Sequence, residues 1–83
     1  MEILKFYTST CMPCRRVGMM LDKIEGVKVT PIDAVANENI AIVSEYNVFS
    51  TPTLVFLKEG KEVGRIHGMT TESKIKEMIE ANK

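Results

Sequence analysis

Apolar and polar residues alternate at the start of the chain and then change period. Over Glu2–Tyr7 the alternation is that of a strand, with Leu4 and Phe6 on one face and Ile3, Lys5 and Tyr7 on the other. Thr8 to Thr10 form a polar turn. Beyond it Cys14, Val17, Gly18, Leu21 and Ile24 fall at helical spacing, with Met20 beside them. Arg15, Arg16, Asp22, Lys23 and Glu25 take the remaining faces. The spacing predicts a helix from about Cys11 to Glu25, ended by Gly26 in the left-handed C′ position. Gly18 inside that helix costs up to ~1 kcal/mol against alanine, and close packing on the sheet is the reason expected for it.

The pattern continues with a second strand from Val27 to Asp33. Pro31 cannot donate to a ladder, so this strand is expected at an edge. Asn37 reads as an N-cap with Glu38 in the first turn. Ile40, Val43 and Tyr46 then face the core of a second helix, which Asn47 stops. Thr53–Leu57 is a dense β run, and Glu59-Gly60 is a hairpin signal. Glu62–His67 is the fourth strand, with Val63 and Ile66 as its apolar residues, and Gly68 breaks it. Thr70 or Thr71 caps a last helix whose apolar stripe is Ile75, Met78 and Ile79. The predicted order is β-α-β-α-β-β-α: an α/β fold with a four-stranded mixed sheet flanked by three helices. The first two strands share a crossover helix and should be parallel, while the last two form an antiparallel hairpin.

The chain has 83 residues, enough for one domain over 1–83 that buries roughly 60% of its unfolded surface. Eleven basic and eleven acidic residues cancel, so neither a nucleic acid nor a membrane surface is an expected partner. No apolar run approaches the ~20 residues of a membrane span. Glu2 and Lys5 interrupt the start, which does not read as a signal peptide. The expectation is a cytoplasmic monomer whose two cysteines form a working dithiol, not a structural staple.

Those two cysteines, Cys11 and Cys14, are the only ones in the chain. A C-x-x-C pair at a strand-to-helix turn is the signature of thiol–disulfide redox chemistry. The helix N-terminus, with its free N–H groups and partial positive charge, favours a thiolate at Cys11. Two intervening residues let the second sulfur swing back and close a disulfide. Pro13 suits a first helical turn, where a missing N–H costs little. A closed zinc site needs four ligands, and two cysteines with His67 do not supply them, so no metal is expected. No organic cofactor is expected either.

The element order, with C-x-x-C opening the first helix, resembles the thioredoxin fold in its shortest form. Tyr46-Asn47-Val48-Phe49-Ser50-Thr51-Pro52-Thr53 is similar to the thioredoxin pattern Y-G-I-x-x-x-P-T. The resemblance implies a cis-proline at Pro52, lying against the dithiol at the start of the third strand. It also implies that the backbone of Thr51 pairs with the substrate chain and that Gly68 lies near the substrate groove. Cys11 would be the nucleophile and Cys14 the resolving thiol in the reduction of protein disulfides. Met12, between them, is expected to touch substrate.

Three departures stand out. Thr10 and Met12 replace the tryptophan and glycine of W-C-G-P-C. The P-Y pair usual in glutaredoxins is missing, although the truncated start resembles that family. Lys5 holds the position of a buried acid that helps to deprotonate the second cysteine. As an ammonium it stabilises a nearby thiolate, as a neutral amine it accepts a proton, or its methylenes line the core and its head reaches water. Arg15 and Arg16 either steer an acidic partner or form a solvated face; Tyr7 and Phe49 line a groove or pack. The electron donor is a thioredoxin-reductase-like protein or glutathione. Two alternatives remain open at this point: a glutaredoxin-like, glutathione-dependent reductase, and a binding subunit that uses the fold without catalysis.

Overall fold

The computed structural model describes residues 1–83. Strands β1 (Glu2–Tyr7), β2 (Lys28–Asp33), β3 (Thr53–Lys58) and β4 (Lys61–His67) form one sheet in the order β2-β1-β3-β4. β1 pairs parallel with β2 and antiparallel with β3, and β3 pairs antiparallel with β4. Helices α1 (Met12–Asp22), α2 (Ile40–Glu45) and α3 (Glu72–Ala81) cover the sheet. The expected order, sheet composition and edge position of Pro31 all hold.

Two apolar layers account for the alternation in β1. Ile3 joins Val17 and Leu21 of α1, Leu54 and Phe56 of β3, and Ile75 and Ile79 of α3 on one side. Leu4 and Phe6 meet Ile32, Val48, Val55 and Leu57 on the other, with Ile42, Val43 and Tyr46 packed against them. β3 is covered on both faces, which is why its sequence reads as a continuous apolar run instead of an alternation. Thr53, the polar member of that run, is buried with its hydroxyl donating to the Ser50 carbonyl at 2.7 Å.

Several local expectations are corrected. α1 ends at Asp22, three residues earlier than its periodicity implied. The Lys23 N–H reaches the Met20 carbonyl at 3.2 Å and the Ile24 N–H reaches Leu21 at 3.0 Å, so the chain tightens into i→i+3 bonds before Gly26. Gly26 does adopt a left-handed φ of 82°, but in the loop. Asn37 is not a cap: a 3₁₀ turn over Asn37–Asn39 precedes α2, with no side-chain cap bond. Asn39 instead donates from Nδ2 to the Asp33 carbonyl at 3.0 Å. That turn advances three residues per revolution and so rotates the faces of α2. Ile40 is therefore 65% exposed, and Ile42 takes the inward place beside Val43. In β4, Phe56 faces Gly64 while Leu57 faces Glu62, so Val63 is the extra residue of a bulge and stays exposed.

Asn47 (φ 51°) closes α2, and Thr71 caps α3 by accepting the Lys74 N–H on Oγ1 at 3.1 Å. No helix is long and apolar enough to cross a membrane.

Candidate active site

The site lies at the end of the sheet where β1 stops. Phe6 is in register with Thr53, which sets Pro52 beside the exit of β1, where the chain enters the turn to Cys11. Thr53 is in register with His67, and the Gly68 N–H donates to the Pro52 carbonyl at 2.8 Å. The sheet register thus brings the dithiol turn, Pro52 and Gly68 to one edge of the molecule. The Thr51–Pro52 peptide bond is cis, as the resemblance implied. Gly68 has a φ of 76°, a left-handed conformation that suits a residue without Cβ.

Cys11 is the N-cap of α1. Its backbone is extended, its N–H donates to the Thr8 carbonyl at 3.3 Å, and its Sγ accepts the Cys14 N–H at 3.2 Å. The sulfur thus occupies the position that a serine or aspartate oxygen holds in an ordinary cap, facing the unpaired amides of the first turn. Met12 and Pro13 occupy that turn and are exposed, Met12 at 58%. Cys14 is one turn in and only 4% exposed. The two sulfurs are joined in a disulfide, with the Cα atoms 5.2 Å apart. One cysteine is half-buried at the helix mouth and the other is almost wholly buried beneath it.

Lys5 projects from β1 toward α1. Its Nζ lies 5.5 Å from the centre of the Tyr7 ring and 3.2 Å from the point a β-carbon on residue 18 would occupy. Lys5, Tyr7, Thr8, Ser9, Cys14 and Arg15 line an open pocket of about 180 Å³. The ammonium therefore shares a pocket with the second cysteine. His67 is exposed on β4, and Arg15 and Arg16 are exposed on α1.

Thr51 and Thr8 also border a second pocket, of about 210 Å³, with Val35, Val43, Val48 and Phe49. Phe49 is 91% exposed and Val35 75% exposed. Phe49 does not pack into the core. Val35 was not anticipated, although Ala34-Val35-Ala36 directly after an edge strand is an apolar run with no periodic face to bury it. Thr8 was anticipated only as turn filler.

The family model for thioredoxin matches residues 1–81. The chain belongs to the thioredoxin family. Thioredoxin from Echinococcus granulosus is 32% identical over 82 residues, spanning 96% of this chain and 76% of that protein. Thioredoxin from Staphylococcus saprophyticus is 26% identical over 82 residues, with 95% and 79% covered. Among solved structures, a thioredoxin mutant from Halobacterium salinarum superposes with a TM-score of 0.87 at 29% identity, covering 96% of this chain and 72% of that one. The germline-specific thioredoxin Deadhead of Drosophila melanogaster gives 0.82 at 25% identity, with 99% and 80% covered. As a member of the thioredoxin family with a C-x-x-C pair joined at a helix N-terminus, the chain is a thiol–disulfide oxidoreductase, and its substrates are protein disulfides. The family match does not favour the glutaredoxin alternative.

Proposed function

We propose that Cys11 is the attacking thiolate and Cys14 the resolving thiol of a reductant of protein disulfides, supplied with electrons by a thioredoxin-reductase-like partner. The observation that carries this reading is the asymmetry of the pair: Cys11 is the more open and accepts an N–H at the helix cap, whereas Cys14 is 4% exposed. In the first step the Cys11 sulfur bonds to one substrate sulfur and the other substrate sulfur leaves as a thiolate. In the second, the Cys14 thiolate bonds to Cys11 Sγ and the remaining substrate sulfur departs with its electron pair. The substrate gains two electrons and the Cys11–Cys14 disulfide closes. The partner reductase reverses that bond, and no cofactor beyond the dithiol takes part.

In this reading Met12, Thr51 and Gly68 contact substrate, and Phe49 and Val35 extend the surface that receives it. Thr51 offers its backbone to an extended chain, as in strand addition. Pro13 and Pro52 hold the two sides of the turn, and Lys5 stands beside Cys14. The protein acts as a monomer in the cytoplasm, a reducing compartment in which both cysteines serve one exchange site.

The test is electron supply. The oxidised protein is incubated with NADPH and thioredoxin reductase, and separately with NADPH, glutathione and glutathione reductase, using insulin as substrate. Turnover with the first system is expected. Turnover with the second alone would overturn the donor assignment. Cys14→Ser should accumulate a mixed disulfide with substrate, whereas Cys11→Ser should form none.

A further inference from the structure

We infer that Lys5 is a positioning residue for the resolving step: its ammonium, seated over Gly18, stabilises the Cys14 thiolate in the pocket the two residues share. The inference rests on the resolving role proposed for Cys14.

Cys14 and Gly18 are four residues apart in α1 and lie one above the other on the same helix face. That face turns toward β1, as the burial of Val17 and Leu21 against Ile3 requires. Lys5 is on the same side of β1 as Ile3, so its stem enters beneath the helix. Any larger side chain at residue 18 would meet it, since a β-carbon there would be 3.2 Å from Nζ. Gly18, which periodicity alone leaves as a weak point in the helix, is the seat of a cation one turn from the buried sulfur.

The surroundings decide what that cation does. No carboxylate lines the pocket. The titratable and charged groups that face Cys14 are Lys5 and Tyr7 from β1 and Arg15 and Cys11 from the start of α1. β3 and α3 present Leu54, Phe56, Ile75 and Ile79 to the same layer. Burial alone raises a thiol's pKa, because it penalises the charged form, and a buried Cys14 would then resolve slowly. A cation within the pocket opposes that penalty. The proton leaves Cys14 Sγ for solvent through the pocket, the ammonium keeps its own proton, and the thiolate attacks Cys11 Sγ to release the substrate sulfur.

Reduced Cys11→Ser protein holds Cys14 as its single thiol, so the ¹³Cβ chemical shift of Cys14 against pH follows that group directly. Lys5→Met, which keeps the stem and removes the charge, is expected to raise the midpoint by about one pH unit in this background. Lys5→Arg is expected to restore it. In the two-cysteine protein, Lys5→Met should slow release of substrate from the mixed disulfide about tenfold at pH 7 without changing the rate of Cys11 attack. The measurement that needs no substitution is the ¹³Cε resonance of Lys5 in the reduced native protein, expected to step at the Cys14 midpoint. A Lys5→Met midpoint equal to its parent's, or a Lys5 resonance with no such step, overturns the inference and leaves the cysteine roles intact. Substrate turnover by Cys11→Ser would overturn the roles themselves, whatever Lys5 does.

Discussion

The Cys14 N–H donates to Cys11 Sγ at 3.2 Å, so the sulfur of the first cysteine caps the helix by accepting the amide of the second. In the reduced protein the same amide faces the Cys11 thiolate, together with the positive end of α1. Cys11 should therefore ionise more readily than an ordinary thiol. Iodoacetamide labelling against pH, with peptide mapping, checks this: Cys11 is expected to label first, and at lower pH than Cys14. Preferential labelling of Cys14 would contradict it.

Phe49 is exposed beside Thr51 and contributes no core contact. Phe49→Ala is expected to leave unfolding free energy within about 0.5 kcal/mol. It should raise KM for a protein disulfide several-fold, because an apolar anchor of the receiving surface is lost. Urea unfolding and steady-state insulin reduction, measured on the same preparation, separate the two effects.

Gly18→Ala relieves the helix of its most flexible residue, a gain of up to about 1 kcal/mol. The new methyl group meets only the far end of the Lys5 side chain, at 3.2 Å, and a flexible ammonium in a pocket can yield a few tenths of an ångström. A net stabilisation of up to about 1 kcal/mol in urea unfolding is expected. Destabilisation would show that the ammonium is held rigidly.

Arg65 donates to Glu62 from Nε at 2.6 Å and from Nη2 at 2.8 Å. This bidentate bond, more than its coulombic part, holds the Glu62 carboxyl below its ordinary value of 4.5. A carboxylate depressed on folding adds stability that is complete above the unfolded value and disappears as pH falls through the folded one. The pair is partly exposed, so its share is at most about 1 kcal/mol. Unfolding free energy measured from about pH 7 down to about pH 3 should fall less steeply for Glu62→Gln than for the parent below about pH 5, and the two curves should converge at the acid end.

Much of this was readable along the chain because the relevant signals are local. The period change between Tyr7 and Cys14 marks the strand-to-helix turn, and a C-x-x-C there carries its chemistry with it. A cap at Thr70 or Thr71, Asn47 as a stop and Pro31 as an edge residue follow from what each side chain or ring does to its own backbone. The misreadings were of phase and length. Ile40 falls inward only if a regular helix of 3.6 residues per turn runs through it, and three residues of 3₁₀ geometry ahead of it move the face. The end of α1 was placed at Gly26 because glycine permits a left-handed turn, although permission does not require one at the helix terminus.

Local rules decided where the elements form and which cysteine opens a helix, since each depends on neighbours within a turn or a strand. What they could not decide was which distant residues would meet. The register of β1, β3 and β4 carries Pro52 and Gly68 to the mouth of the dithiol turn. The packing of α1 on β1 lowers Lys5 onto Gly18 beside Cys14. A lysine in a central strand and a glycine in a helix are each a small local fault. Together, across a layer of side chains, they place a cation in the pocket that a buried sulfur lines. Burial and charge act through space, so the environment of Cys14 is set by the tertiary fold and not by its neighbours in the chain.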